Sequence, residues 1–451
     1  MNWLLLILFG ASCLVLIVRP LKDRAGVLHF PVLAGAGSLG FLFFQAVGLV
    51  RNPALVPPEG LTKTLIMCTL CNAAVFIGWY QRPSPAWRRA PKWNYRLLNV
   101  YWIGIMWLVI GGIGLLKLMS LAGGLEKGFS VDTEITEWSG LPVIYLFIGT
   151  FNAVGIALTC LAALKMRDSW WRFAPAAPFL LLQVATVAFN GRRTVLVALT
   201  LLALCIPFFA RNYLPPKAVV LASAVFILVG IYLFPIIRQY TPIGADRSKL
   251  ESVSVEDTSR GVVEGQTAEL WAATYLIDIT DIDHQCMYGA RTYNQIISLF
   301  VPKILVGGAD AKARLLLNVP EPGLSGENAF NWVRPYYFHV TGPASVFMEF
   351  SYAGALLYWW LARVMRRLWV RATEFDDIRA QIIYALFAAP AVAALTSDFA
   401  NVWVALPVSI LAPIASLWCV KVELLPDWRR PNTEHAALDA MLPPLDQTGV
   451  Q

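Results

Sequence analysis

Arg192 and Arg193 stand side by side after Gly191 in "VAFNGRRTVL", with apolar sequence running away on both sides. A guanidinium is a planar fork of donors, so several gathered in one place bind phosphate or pyrophosphate bidentately. Arg238 in "FPIIRQY", Arg291 in "GARTYNQ" and Lys303 in "FVPKIL" are the other basic candidates for such a site. Proton-handling groups are few: His284, His339, Glu349 and Asp398. His339 in "YYFHVTGP" has the ordinary pKa best suited to a general base near neutrality. Glu349 is the acid that falls within a long apolar run, where a carboxylate must be paired or wet. Structural roles stand beside these chemical ones. The paired arginines can snorkel to headgroups, His339 can hold an ordinary interfacial hydrogen bond, and Glu349 can be the ion-pair partner of one of the arginines.

No metal set competes with this reading. The four histidines are scattered, no HExxH occurs, and Cys68 and Cys71 of "CTLC" lie in an apolar run where they read as packing residues. "DITDID" at 278–283 reads as a solvated acidic stretch. Glycine-rich phosphate loops are absent, which disfavours a nucleotide-driven pump. No cofactor is expected.

The elements that position these groups must be membrane helices. Of 451 residues 57% are hydrophobic and 14% charged, and the mean hydropathy is +0.59. In such a chain a net charge of +7 reflects loop arginines and lysines, not nucleic-acid binding. Apolar runs at 3–18, 28–50, 64–80, 97–121, 141–164, 174–189, 194–210, 218–237, 343–362, 380–397 and 402–420 predict an all-α, polytopic bundle of about eleven spans. Alternate short loops carry 21 and 5 lysines plus arginines. The rich set belongs in the cytoplasm, which puts the amino terminus outside and the carboxyl terminus inside.

By this count Arg192 and Arg193 lie on the outer face, where the charge rule disfavours them. Their flanking runs are about 24–26 Å long at helical rise, short of a hydrocarbon core, so the pair is drawn below the surface into a hydrated or anion-filled cavity. The chain divides into spans one to eight (1–237), one large extracytoplasmic loop (238–342), spans nine to eleven (343–420) and a disordered cytoplasmic tail (421–451). Within the loop the first half is acidic and the second basic. Helical spacing at 264–277 and 290–305 predicts short helices lying on the membrane or on the bundle rim, and a long loop of this kind acts as a lid or binding element.

"YGARTYNQIISLFVPKIL", then a connector, then "TGPASVFMEFSYAGALLYWWLARVMRRLW", resembles the pattern of bacterial oligosaccharide repeat-unit polymerases, the Wzy-like O-antigen polymerases. "AFNGRRTVLVAL" looks like that family's glycine-arginine turn. The resemblance matches Arg192 or Arg193 to the family's turn arginine, Lys303 to its basic residue after the loop proline, and Glu349 to the acid of its late helix. Where the family continues to a tryptophan and a Lys-Pro pair, this chain has "LVGGADAKAR". The resemblance implies a metal-independent, inner-membrane glycosyltransferase of the polytopic, lipid-linked donor (GT-C-like) class. It would move a glycan from polyprenyl pyrophosphate onto the terminal sugar of another lipid-linked unit in O-antigen or exopolysaccharide synthesis, with a chain-length regulator as a candidate partner. A polysaccharide ligase shares this layout. A lipid-linked sugar flippase or permease is the other alternative, although no internal repeat or midplane charge favours transport.

Overall fold

Long apolar runs in a bilayer must satisfy their backbone groups internally, and helices are how this chain does so. A computed structural model describes residues 1–82, 93–121, 141–167, 170–190, 193–216, 219, 268–284, 286–301, 306–318 and 340–422. In chain order the helices are α1 (Asn2–Val18), α2 (Phe30–Gly37), α3 (Phe44–Arg51), α4 (Pro58–Tyr80), α5 (Leu97–Leu121), α6 (Leu141–Met166), α7 (Ala177–Asn190), α8 (Arg193–Arg211), α9 (Ala268–Asp283), α10 (Ala290–Phe300), α11 (Ala309–Ala313), α12 (Gly342–Phe350), α13 (Ala355–Glu374), α14 (Ile378–Thr396), α15 (Asn401–Leu406) and α16 (Ala412–Val420). A π-helical turn, Ser38–Phe43, joins α2 to α3, and another, Pro407–Leu411, joins α15 to α16.

Among the described residues, seven helical segments are long and apolar enough to cross a membrane: Asn2–Lys22, Phe30–Arg51, Pro58–Tyr80, Leu97–Lys117, Phe147–Met166, Ile378–Thr396 and Asn401–Val420. Val195–Arg211 in α8 is a shorter apolar helix. Most of the run expected at 218–237, much of the 238–342 loop, and the tail beyond Val422 lie outside the described residues.

The run expected at 343–362 is two helices and not one. α12 stops at Phe350, Ser351 takes a left-handed backbone (φ 51°), and a 3-10 turn over Ser351–Gly354 leads into α13. Gly354 has no room for a side chain, since a Cβ there would stand 2.2 Å from the carbonyl oxygen of Val346. Breaking a helix frees backbone groups that must find other partners. Here the carbonyls of Met348 and Glu349 accept from the amides of Met287 and Tyr288, both at 2.9 Å.

The bundle has two chemically distinct ends. At one, Lys165 meets Asp376 at 2.6 Å, Arg211 donates to the Leu164 carbonyl at 3.1 Å, and Arg363 donates to the Gln81 carbonyl at 3.0 Å. A two-residue strand pair sets Asn94 opposite Val422 and Tyr95 opposite Lys421 at the same end. At the other end Lys63 meets Asp278 at 3.0 Å and Asp281 at 2.8 Å, Trp271 donates to the Leu55 carbonyl at 2.8 Å, and Phe300 packs on Phe147. The described short loops rich in arginine and lysine thus contact one another, and the poor loops at 51–63 and 398–401 share their end with the described part of the long loop.

This arrangement corrects the reading of "DITDID" as a solvated stretch. Asp278 is buried, and with Asp281 three residues on it turns toward Lys63 of α4, which ties α9 to the bundle. Gly60, one turn before Lys63, makes the approach possible: a Cβ there would meet the Thr274 carbonyl oxygen at 2.6 Å. α5 and α6 pack in the same fashion, Gly104 against Thr159, Gly111 against Asn152 and Gly155 against Leu108, the small-residue contact that lets membrane helices approach closely.

Candidate functional site

The broken segment α12–α13 places Glu349 beside the start of α10. Gly289 precedes that helix with φ 89°, a conformation for which glycine is suited, and no side chain of its own element caps the helix. Glu349 performs that task from a neighbouring helix. Its carboxylate accepts from the Gly289 amide, and its Oε1 accepts from both the amide and the hydroxyl of Thr292, each at 2.9 Å. Negative charge at a helix amino terminus is favoured by the helix dipole and satisfies amides that would otherwise lack partners.

Arg291 lies between those two positions and points elsewhere. Its guanidinium grips Asp398 with both prongs, Nη1 to Oδ1 at 3.1 Å and Nη2 to Oδ2 at 2.5 Å. Ser345 of α12 completes the set: its hydroxyl accepts from Arg291 at 3.2 Å and donates to Asp398 Oδ1 at 2.6 Å. The Ala400 amide also donates to that oxygen, at 3.0 Å. The side chains of Arg291 and Asp398 are only 10% and 15% exposed, so this is a largely desolvated pair. Burial pushes the Asp398 carboxyl up, but the charge and hydrogen bonds of Arg291, with those of Ser345 and Ala400, outweigh it and hold the group below its ordinary value.

Beside Glu349 opens a recess of about 160 Å³ whose lining includes Thr292, Ser345, Glu349, Phe350, Phe399 and Trp403. That is below the roughly 300 Å³ of an ordinary small-molecule pocket, so it suits one edge of a ligand and not a whole oligosaccharide. Its lining is mostly apolar, with Thr292, Ser345 and Glu349 as its polar members.

Of the residues expected from sequence, Glu349 and Arg291 come together here, though not as an ion pair with each other. Arg193 opens α8, and just two residues separate it from the end of α7, with which α8 packs. Arg192, Arg238, Lys303 and His339, and the side chain of Arg193, lie outside the described residues. His339 immediately precedes the described Val340, which leads into α12. Sequence reasoning passed over Ser345 and Thr292, and named Asp398 only as a proton-handling group. The available signal was that Asp398 stands alone at the junction of two apolar runs, where an acid needs a partner. Among the described residues, no group of three or more His, Cys, Asp or Glu is placed to hold a metal ion.

Thr292→Val removes one of three donors to Glu349 while keeping the side chain's shape. The expected cost is about 1 kcal/mol of thermal stability in detergent, measured by unfolding monitored at tryptophan. An unchanged midpoint would mean that the hydroxyl contributes nothing to this anchor.

A scan against models of known protein families, a search of curated proteins and a search of solved structures each found no match to this chain.

Proposed function

We propose that this chain is a membrane polymerase of lipid-linked oligosaccharide repeat units, transferring a glycan from polyprenyl pyrophosphate to the terminal sugar of a second lipid-linked unit. The observation that carries the reading is the recess at the helix break, lined by Thr292, Ser345, Glu349, Phe399 and Trp403, with the Arg291–Asp398 pair hydrogen-bonded to Ser345 in its wall. It stands at the end of the bundle away from the arginine-rich loops, in the segments whose motifs resemble the polymerase family. In this reading the protein has about eleven spans and a GT-C-like layout in a bacterial inner membrane. The amino terminus is outside, the 238–342 loop is extracytoplasmic, and the carboxyl terminus is cytoplasmic.

The chemistry asks little of the protein beyond placement and charge. The acceptor hydroxyl oxygen attacks the anomeric carbon, the bond from that carbon to the pyrophosphate oxygen breaks, and the pyrophosphate leaves with the electron pair while a base takes the hydroxyl proton. Fixed guanidinium groups stabilise the growing negative charge and need no reorganisation to do so. Arg192 and Arg193 are assigned to the pyrophosphate, with Arg238 and Lys303 beside them, and the proposal calls on no metal. Arg291 joins them by exchanging its Asp398 partner for a phosphate oxygen. The Glu349 carboxylate already receives three donors, which suits a positioning residue, and His339 is assigned as the base.

The test is deletion of the gene followed by analysis of lipid-linked glycans. A polymerase mutant keeps single repeat units on the outer leaflet and makes no polymer. Accumulated polymer on the lipid carrier would identify a ligase instead, and units stranded on the inner leaflet a flippase. Either result ends the proposal.

A further inference from the structure

The arginine-rich end holds a second feature, far from the recess and independent of the function proposed for it. Tyr80 and Trp79, neighbours in the last turn of α4, each carry a guanidinium. Arg19, just past α1, lies 4.2 Å from the ring centre of Tyr80 and 5.0 Å from that of Phe76. Arg366 of α13 lies 5.2 Å from the ring centre of Trp79. Both guanidinium groups act electrostatically on the Tyr80 hydroxyl, so they share one neighbourhood.

Neither guanidinium makes a hydrogen bond or an ion pair among the described residues. Asp23 and Glu374 act on Arg366 from beyond ion-pair reach. Arg19 is exposed and Arg366 half-buried. Beneath Arg366, His29 is buried between Trp79 and Trp369, with ring centres 5.4 and 4.8 Å away. Burial first, and then the charge of Arg366, push its pKa down to about 4, so it is neutral at physiological pH and supplies no charge. A half-buried guanidinium held only by a ring face is a costly arrangement that an arriving anion relieves.

What lies next to the two arginines says which anion. α1 leaves Leu14, Val15 and Val18 about half exposed, and Ile77, one turn before Tyr80 in α4, is 57% exposed. A ligand bridging the arginines therefore has an anionic head at the end of the bundle and an apolar body along α1 and α4.

We infer that Arg19 and Arg366, seated on Tyr80 and Trp79, form a binding site for the phosphate headgroup of an anionic phospholipid whose acyl chains lie against the exposed face of α1 and α4. The Tyr80 hydroxyl is positioned to donate to the same phosphate. This differs from general attraction to a charged leaflet in that it places a discrete lipid at two named side chains.

The experiment uses the full-length purified protein, with bound lipid counted by native mass spectrometry and thermal stability measured during titration with phosphatidylglycerol, phosphatidylcholine, glycerol phosphate or inorganic phosphate. Wild type should retain and be stabilised by phosphatidylglycerol in preference to phosphatidylcholine. Arg19→Ala and Arg366→Ala should each weaken that preference roughly fivefold. Arg24→Ala, at an exposed arginine of the same end, should leave it intact. Because Arg366→Ala removes packing on Trp79, the exposed Arg19→Ala serves as the variant that cannot be dismissed as misfolded. Equal stabilisation by inorganic phosphate or glycerol phosphate would make the site one for free phosphate and overturn the lipid assignment. An unchanged lipid preference in Arg19→Ala, or an equal loss in Arg24→Ala, would overturn the site.

Discussion

Asp398→Ala is expected to cost the fold roughly 3 kcal/mol, most of it the penalty for leaving the Arg291 charge desolvated without its bidentate carboxylate. The pair joins α10 to the turn between α14 and α15, and Ser345 adds α12 to the same knot. Unfolding in detergent measures the loss. A double variant, Arg291→Met with Asp398→Leu, should recover more than half of it, because an apolar replacement of both partners removes the stranded charge as well as the attraction. If the double variant is as unstable as the sum of the singles, the two residues act independently and the pair does not hold these elements together.

The same pair sets a pH dependence. The carboxyl of Asp398 is held below its ordinary value in the folded protein, so its contribution is complete above the unfolded carboxyl's pKa, about 3.9, and is lost as pH falls through the lower folded value. The difference in melting temperature between wild type and Asp398→Ala should be flat from neutrality down to about pH 5 and shrink only below the ordinary Asp range. A difference that disappears near pH 6 would point to a histidine as the titrating group and not to Asp398.

How much of this could be read in the sequence depends on the distance over which a residue's partner lies. Helices were legible because an apolar run has no other way to satisfy its backbone in lipid. The grouping of the described short loops at two ends followed from basic residues alone. The break at Ser351 was not legible, because the residues around it are as apolar as a continuous span and the left-handed turn is enforced by contacts of Gly354 with Val346 and of 287–288 with 348–349. Glu349 was legible as a costly residue, since an acid in an apolar run must be satisfied somewhere. Its partners were not, being backbone amides about 60 residues upstream that present themselves only once α10 has formed. Asp278 misled for a related reason: in an acidic stretch it reads as solvated, and Lys63, which desolvates it, lies 215 residues away. Arg291 was chosen for its chemistry, and its commitment to Asp398 depends on a contact across 107 residues that carries no local pattern.

Glu349 carries the other large expectation, and two substitutions separate its possible roles. Glu349→Leu removes the acceptor for the Gly289 amide, the Thr292 amide and the Thr292 hydroxyl together, and each buried donor left without a partner costs about 1–3 kcal/mol. The start of α10 should loosen, the recess should lose a wall, and under the proposed polymerase function polymer should disappear even where the protein still reaches the membrane. Glu349→Gln keeps the size and one good acceptor oxygen, and loses the charge that the helix amino terminus favours. For a residue that positions α10 and the recess, Gln should retain polymer synthesis within about tenfold of wild type, the equivalent of about 1.4 kcal/mol. For a residue that takes the acceptor proton, Gln should be as inactive as Leu at equal protein level. Polymer length distributions and protein abundance, measured side by side in a deletion strain carrying each variant, distinguish the two, and an inactive but abundant Glu349→Gln would move Glu349 from anchor to base.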